Sequence, residues 1–366
     1  MKFLIAGGGT GGHINPGIAI ARYIRQKQKD ADILFAGTQR GLETKLVPRE
    51  GFELRLIKVR GFKRKLSKDT FVAIKELFQG IWEARKLIRE FKPDVVIGTG
   101  GYVCGPVLFV ASRMKIATLI HEQNAFPGIT NRILSRFVDA VAISFKESKK
   151  FFKSARMLVH TGNPVRDEIL EADRTASRQK LCLDKDTPLV VVTGGSLGAE
   201  RINQVVCDMI VNHYKSSDFN IIFSTGNDQY QKILDQLGSG LPDSITITPY
   251  IYDAGSIYSA ADLIICRGGA ITMSELPVLG LPSVIIPSPN VTANHQEYNA
   301  RALEKQGAAV VILEKDLNSN LMYQQIMSLL KDRDQLLKMA RNARKMGITN
   351  ATEKIYSMIT EIIKKQ

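Results

Sequence analysis

Residues 2–24, KFLIAGGGTGGHINPGIAIARYI, join a short apolar run to a helical segment through a loop made mostly of glycine. Gly7, Gly9 and Gly12 have the spacing of the loop that follows the first strand of a nucleotide-binding α/β domain. Residues 188–210, PLVVVTGGSLGAERINQVVCDMI, repeat the same layout. The two stretches therefore predict an α/β chain with two Rossmann-like, doubly wound parallel-sheet domains.

Further apolar runs support this reading, because strands that are apolar throughout are typical of parallel sheets covered on both faces. A helix is predicted at 16–28, with Pro16 in its first turn, and the final segment from about residue 332 is helical in pattern. The predicted strands are 2–6, 32–38, 93–101, 117–124, 188–193, 220–226, 245–251, 263–269 and 282–289. We expect an N-terminal domain at 1–163, a C-terminal domain at 164–344 and a C-terminal helix at 345–366.

Charge is distributed unevenly along the 366 residues. Residues 1–164 contain 29 Lys and Arg against 13 Asp and Glu, whereas residues 165–366 contain 21 against 23. The net charge of +14 therefore comes from the first half. Such asymmetry indicates an anionic partner for that half, or simply a solvated basic face. The four scattered cysteines indicate neither a zinc site nor a disulfide framework.

The first glycine loop does not fit two common nucleotide-binding motifs. A nicotinamide site needs an acidic residue at the end of the second strand, where this chain has FAGTQR, and a P-loop needs GKS or GKT. Glycine amides and a helix N-terminus still favour an anion such as pyrophosphate. His13 is predicted beside that anion, either as a functional group or as the cap of a tight turn.

The second half carries a stronger nucleotide signal. TGGSLGAERIN places Ser196 at a predicted helix start, and CRGGAITMSEL places Glu275 near another. A carboxylate there can accept hydrogen bonds from both ribose hydroxyls, although a glutamate in a first helical turn can also serve only the helix dipole.

A basic and apolar segment lies at 58–90. Six of the eleven residues in KVRGFKRKLSK are Lys or Arg, and Phe78 and Trp82 recur at helical spacing in the segment that follows. This pattern favours membrane-surface docking, with Lys63, Arg64, Lys65, Phe78 and Trp82 as candidate contacts. The alternative is a helix packed on its own sheet, and both can hold. We expect no nucleic-acid partner, because no known binding module is present.

One uncharged stretch, residues 95–112, is long enough to consider as a membrane span. Its central Gly100, Gly101, Gly105 and Pro106 favour a strand, a glycine loop and a helix start instead.

Taken in order, the motifs GGGTGGHINP, GTGGY, HEQN, GNPVR, GGSLGAERIN, CRGGAITMSEL and NHQ cover nearly the whole chain. In these motifs the chain resembles the MurG family of bacterial N-acetylglucosaminyltransferases, in glycosyltransferase family 28. The resemblance implies a GT-B fold whose two Rossmann-like domains face a cleft, with the final helix at 345–366 returning to the first domain. It also implies transfer of N-acetylglucosamine from UDP-N-acetylglucosamine to lipid I, an undecaprenyl-pyrophosphate-linked acceptor, which makes lipid II. The enzyme would be peripheral, on an anionic membrane surface at the cytoplasmic face of the cell membrane.

The resemblance also implies site residues. The residues that match the family's UDP-N-acetylglucosamine-binding positions are Thr10, Gly11, Gly12, Asn124, Arg166, Ser196, Ile251, Ala270, Ile271, Thr272, Met273, Ser274, Glu275 and Gln296. The family often has two glutamines where this chain has His295 and Gln296.

Inversion at the sugar requires a general base, for which His13 is the first candidate and Glu122 the second. Asp-x-Asp triplets occur only at 30–32, 184–186 and 332–334, outside the predicted donor loops, so we expect neither a metal nor a cofactor. The alternatives are another GT-B enzyme, such as a glycolipid synthase or a UDP-N-acetylglucosamine 2-epimerase, and a nonenzymatic membrane-binding module.

Overall fold

The structure is a computed structural model that describes residues 1–60, 68–184, 187–195, 197–214, 219–238 and 240–366, without the side chains of residues 68–74. The chain divides into two compact units. Unit 1 contains Met1–Pro164 and Asn350–Gln366, and unit 2 contains Val165–Thr349.

Unit 1 is built on a parallel sheet with the strand order β3-β2-β1-β4-β5-β6-β7. Its strands are β1 Lys2–Gly7, β2 Asp32–Gly37, β3 Glu53–Leu56, β4 Val95–Gly100, β5 Ala117–Glu122, β6 Ala140–Ile143 and β7 Met157–His160. Its helices are α1 Gly11–Lys27, α2 Glu43–Arg49, α3 Lys68–Phe91, α4 Cys104–Arg113, α5 Ile129–Leu134 and, at the far end of the chain, α15 Ala351–Lys364.

Two apolar cores cover the two faces of this sheet. One contains α1 and the buried side of α15, including Ile355 and Ile359, and the other contains α4 and the inner side of α3, including Ala84 and Ile88. The apolar strands are therefore buried from both sides, as expected for a doubly wound domain.

Unit 2 repeats the plan with the order β10-β9-β8-β11-β12-β13. Its strands are β8 Leu189–Thr193, β9 Asn220–Ser224, β10 Ile245–Thr248, β11 Leu263–Cys266, β12 Ser283–Ile285 and β13 Ala309–Val311. Its helices are α6 Asp167–Leu170, α7 Arg174–Lys180, α8 Glu200–Asn212, α9 Tyr230–Leu237, α10 Ala254–Ala260, α11 Thr272–Leu279, α12 His295–Lys305, α13 Ser319–Lys331 and α14 Arg333–Met346.

The predicted doubly wound α/β class is confirmed. In each sheet all strands are parallel, and the order in which the chain adds strands reverses at one point. That point lies between β1 and β4 in unit 1 and between β8 and β11 in unit 2. Ligands of open parallel sheets bind beyond the carboxyl ends of the strands at such a reversal. Both glycine loops quoted above follow a strand that borders it.

The predicted start of the first helix at Pro16 is wrong. The helix begins at Gly11, because the carbonyl of Thr10 accepts hydrogen bonds from the amides of His13 and Ile14. Pro16 therefore lies inside α1, where its missing N–H leaves the Gly12 carbonyl without an i+4 donor.

Residues 95–112 form β4, a glycine turn and most of α4, as predicted. Within the described residues, no helix has the length and apolar character needed to cross a membrane.

Candidate active site

In the loop after β1, two backbone N–H groups are bonded within unit 1. The amide of Gly8 donates to the Gly100 carbonyl at 3.2 Å, and that of Gly9 donates to Glu43 Oε2 at 2.9 Å. The amides of Thr10, Gly11 and Gly12 have no hydrogen-bond partner among the described residues. They form the N-terminus of α1, which favours a negatively charged or strongly polar ligand group.

Sequence reasoning missed Glu43, whose carboxylate is completely buried beneath this loop. Besides Gly9, it accepts hydrogen bonds from the amide of Thr38 at 2.7 Å and from the Thr38 hydroxyl at 2.8 Å. Glu43 therefore joins the loop after β2 to the loop after β1. The only signal in the sequence is an acidic residue at a helix start soon after the second strand.

His13 lies in the first turn of α1, at the same reversal point. Its ring packs against Gly100, where a Cβ atom would come within 2.8 Å of the His13 Cγ and Cε1 atoms. Its Nδ1 lies 3.1 Å from Oε1 of the buried Gln123. Gln123 belongs to the HEQN motif, and no role was predicted for it.

Glu122 is 2% exposed, and both of its carboxylate oxygens are engaged. Oε1 accepts from the backbone and side-chain amides of Asn124 at 3.0 and 3.2 Å. Oε2 accepts from the Asn131 side chain at 2.8 Å and from the Gly128 amide at 3.2 Å. These contacts organise the loop that carries Asn124, and they favour His13 over Glu122 as the group that meets a ligand.

In unit 2, the loop after β8 contains Gly194, Gly195 and Gly198. Gly198 has a φ of +74°, and a Cβ atom there would overlap the Thr225 carbonyl. Glycine is thus required for this loop to pack against the end of β9. The predicted Ser196 lies outside the described residues.

Arg166 and Glu275 form a bidentate ion pair within unit 2. Arg166 Nε and Nη2 lie 2.6 and 3.0 Å from the two oxygens of Glu275, whose side chain is 2% exposed. Arg166 Nη1 also reaches the exposed Glu168 at 2.6 Å. Burial acts to lower the pKa of Arg166, but the hydrogen bonds and charge of Glu275 outweigh it and hold that pKa above its ordinary value.

The other predicted donor-site residues of unit 2 lie on three segments. The residues that follow β11 and enter α11 are Ala270, Ile271, Thr272, Met273, Ser274 and Glu275. Ile251 follows β10 with its side chain buried. Gln296 lies in the first turn of α12, where its Oε1 accepts from the Ser288 amide at 2.9 Å, so its NH₂ group faces elsewhere.

The segment that carries Gln296 also borders a cavity of about 400 Å³. Pro287, Asn294 and Glu297 line it on this side, and Leu313 and Lys315 line it from the loop after β13. The cavity is large enough for one sugar ring, and its lining is mostly apolar with a few polar side chains.

Phe78 and Trp82, two of the predicted membrane contacts, lie on the outer side of α3. Phe78 and Trp82 are 68% and 64% exposed, while Ala84 and Ile88 of the same helix are buried. Phe109 of α4 and Ile129 and Ile133 of α5 are exposed as well. The helix therefore packs on its own sheet, as the alternative reading predicts, and it also presents exposed aromatic groups. Lys63, Arg64 and Lys65 lie outside the described residues.

Two sets of predicted residues are thus assembled. Unit 1 groups Thr10, Gly11 and Gly12 with His13, and Gln123 joins them to the loop of Asn124. Unit 2 groups Arg166 with Glu275 and packs the Gln296 carbonyl against Gly268. In the described part of the chain, no three His, Cys, Asp or Glu side chains are clustered as metal ligands would be.

Comparison with known proteins agrees with this organisation. Residues 3–143 match the glycosyltransferase family 28 N-terminal domain, and residues 189–355 match the family 28 C-terminal domain. A relative from Acetivibrio thermocellus is 61% identical over 366 residues, which cover 100% of this chain and 99% of the relative. Its name is UDP-N-acetylglucosamine--N-acetylmuramyl-(pentapeptide) pyrophosphoryl-undecaprenol N-acetylglucosamine transferase. A protein of the same name from Ruminiclostridium cellulolyticum is 57% identical over 365 residues, covering 99% of this chain and 100% of that protein.

The crystal structure of Acinetobacter baumannii MurG superimposes with a TM-score of 0.80 at 30% identity, covering 98% of this chain and 99% of that one. The predicted GT-B fold class and the resemblance to the MurG family are confirmed. The chain belongs to glycosyltransferase family 28.

Proposed function

We propose that this protein transfers N-acetylglucosamine from UDP-N-acetylglucosamine to the C4 hydroxyl of the N-acetylmuramoyl unit of lipid I, forming lipid II for peptidoglycan synthesis. The observation that carries the proposal is full-length identity of 61% and 57% to relatives named for this transfer. The geometry of both loop systems supplies the chemistry that such a transfer needs.

Unit 2 provides the donor-nucleotide site. The bidentate contact of Arg166 fixes the orientation of the Glu275 carboxylate, and each carboxylate oxygen keeps a lone pair that can accept a ribose hydroxyl. The glycines after β11 and the N-terminus of α11 favour the diphosphate. Ile251 offers backbone groups to the uracil ring, and Gln296 and Ser196 complete the set by the resemblance.

Unit 1 provides the groups nearest the reacting hydroxyl. The Thr10, Gly11 and Gly12 amides bind a polar group of the donor sugar or the acceptor pyrophosphate, together with Asn124. His13 takes the proton from the C4 hydroxyl of the acceptor while that oxygen forms a bond to C1 of N-acetylglucosamine. The attack comes from the face opposite UDP, so an α-linked donor gives a β-linked product.

The leaving group is UDP, which departs with the electron pair of the broken C1–O bond. Its diphosphate gains negative charge in the transition state. Preorganised N–H groups after β8 and β11 stabilise that charge, since such groups contribute most where charge develops.

We also propose that the protein binds the cytoplasmic face of the cell membrane through α3 and its neighbours. Phe78 and Trp82 supply exposed aromatic surface on a unit whose sequence is strongly basic. Aromatic groups beside Lys and Arg favour the interface of an anionic bilayer.

The proposal is tested by measuring UDP release from UDP-N-acetylglucosamine with and without a soluble lipid I analogue, and by identifying the product. We expect release only with the analogue, and a β-linked disaccharide by mass spectrometry and NMR. Equal release without the acceptor would overturn the proposal in favour of an epimerase-like or hydrolytic use of the same nucleotide.

A further inference from the structure

A row of buried polar side chains lies behind His13. Gln123, His121 and Ser144 are 1%, 0% and 8% exposed and are joined by hydrogen bonds. We propose that Gln123 is a positioning residue that holds the His13 imidazole protonated at Nδ1 and unprotonated at Nε2, and that the backbone carbonyl of Gly162 sets this tautomer through His121 and Gln123. The catalytic consequence rests on the proposed role of His13 as the base.

The first step is the tautomer of His121. Burial lowers the pKa of His121 to about 4, so its ring is neutral near pH 7 and carries one N–H. Its Nε2 lies 3.1 Å from the Gly162 carbonyl, which can only accept. The proton is therefore on Nε2. Ser144 Oγ, also 3.1 Å from Nε2, donates its own proton to the Glu122 carbonyl at 2.9 Å and is free to accept.

The second step is the orientation of the Gln123 amide. With its proton on Nε2, His121 presents an unprotonated Nδ1, which lies 3.1 Å from Gln123 Nε2. The same Nε2 lies 2.7 Å from the Thr99 carbonyl and 3.0 Å from the His121 carbonyl. Three acceptors thus surround this position. An NH₂ group can donate to two of them at a time, whereas a flipped amide would set Oε1 against all three in a buried site.

The third step is the tautomer of His13. Because the NH₂ group of Gln123 is directed at Thr99 and His121, its Oε1 is the atom that lies 3.1 Å from His13 Nδ1. Oε1 can only accept, so Nδ1 must carry the proton. Nε2 then keeps its lone pair, and among the described residues none donates to it. The hydrogen bond at one ring nitrogen has selected the other as the proton acceptor.

A neutral amide suits this task differently from a carboxylate. A carboxylate beside Nδ1 would both orient the ring and stabilise the imidazolium. Gln123 orients the ring without adding a charge to a buried site that already contains Glu122. The arrangement fixes which nitrogen reacts.

The test is the protonation state of each ring nitrogen in protein labelled with ¹⁵N-histidine, from two-bond ¹H–¹⁵N correlation spectra. His13 is assigned by the signals lost in His13→Ala. We expect a protonated Nδ1 and an unprotonated Nε2 in the wild-type protein. In Gln123→Met, which keeps the length but removes the acceptor, we expect the proton to move to Nε2. We also expect kcat to fall about tenfold or more, with KM for UDP-N-acetylglucosamine changed by less than about twofold.

Thr118→Val is the matched control, since Thr118 lies in β5, which ends just before Gln123, and the change removes a part-buried hydrogen bond to Asp139. It should lower stability and leave the His13 signals unchanged. If Gln123→Met does not fold, the wild-type spectrum still decides, because a proton on Nε2 there overturns the inference. Retention of Nδ1–H in Gln123→Met, or a moved proton with unchanged kcat, also overturns it. Normal turnover of His13→Ala overturns instead the proposed base, and it does so whatever the spectra show.

Discussion

The imidazole of His13 lies directly on the Cα atom of Gly100, which has a φ of +117°. Gly100 ends β4 on the far side of the sheet reversal from β1, so the turn after β4 forms part of the surface that holds the proposed base. A side chain at this position would occupy the space of the ring.

Gly100→Ala should therefore displace His13 and lower kcat by about tenfold or more. Gly51→Ala is the matched control, because Gly51 also has a positive φ of +72° but a Cβ atom there would meet nothing within 4 Å. In both variants backbone strain should lower the free energy of unfolding by about 1 kcal/mol, which thermal unfolding measures. Only the Gly100 variant should lose turnover, and equal kcat values would show that the close packing on His13 has no catalytic consequence.

His13→Ala should lower kcat by about 10²–10⁴, the range for removal of a general base, while binding of UDP-N-acetylglucosamine persists. Steady-state kinetics and calorimetric titration of the donor measure the two effects. His213→Ala, on a half-buried histidine of unit 2 stacked on Tyr323, controls for loss of any imidazole. A decrease below about tenfold in a folded His13 variant argues against the assignment.

The two carboxylate partners of Arg166 differ in burial and should differ in importance. Glu275→Gln breaks the bidentate pair and removes charge from the proposed ribose contact, so KM for the donor should rise about tenfold or more. Glu168→Gln removes only an exposed partner and should change stability by less than about 1 kcal/mol, with donor binding intact. Donor titrations of both variants decide, and equal affinities would count against a ribose role for Glu275.

Stability should fall in mild acid because of His121. The pKa of its ring is lowered by burial from 6.5 to about 4, so the unfolded chain binds the extra proton first as pH falls. The free energy of unfolding should therefore decrease between about pH 6.5 and pH 4, by up to about 3 kcal/mol from this residue. Burial lowers the pKa of His160 too, which adds a smaller contribution of the same sign. Urea unfolding across this range should show a shallower pH dependence in His121→Phe, and a parallel curve would contradict the assignment.

Membrane association should depend on the exposed aromatic groups of α3. Replacing Phe78 and Trp82 together by Ser should weaken cosedimentation with anionic vesicles about tenfold or more, since each loses apolar area for burial in the interface. Leu337→Ser, on an exposed leucine of unit 2, is the control. Charge reversal at Lys63, Arg64 and Lys65 should also weaken vesicle binding, and the loss should be larger at low salt than at high salt. Unaltered vesicle binding of the aromatic variant would rule out α3 as the docking surface.

The sequence predicted the long, fully apolar strands because burial on both faces leaves a continuous pattern. It missed β3, β6, β7 and β13, and three of these four strands, β3, β7 and β13, carry no fully buried run. It extended β10 and β12 beyond their ends at Thr248 and Ile285, because apolar loop residues such as Ile251 and Ile286 continue the pattern.

In the site, the motif residues were identified but their buried neighbours were not. Glu43 lies far along the chain from the amide of Gly9 that it binds, and only tertiary structure brings them together. HEQN contains four polar side chains. The one that faces His13 is set by the direction in which the chain leaves β5, and the composition of the motif does not give this direction. Hence Glu122 was the second candidate base and Gln123 had no predicted role, whereas the structure places Gln123 against the His13 ring.

The return of α15 to unit 1 affects how the protein is made. One apolar core of unit 1 is completed by Ile355, Met358, Ile359 and Ile362. The other buried members of this core lie between Phe3 and Ala142. During translation, all of unit 2 must leave the ribosome before this helix is available. Until then the N-terminal half lacks these apolar side chains on one face of its sheet, so part of that face stays exposed and open to aggregation.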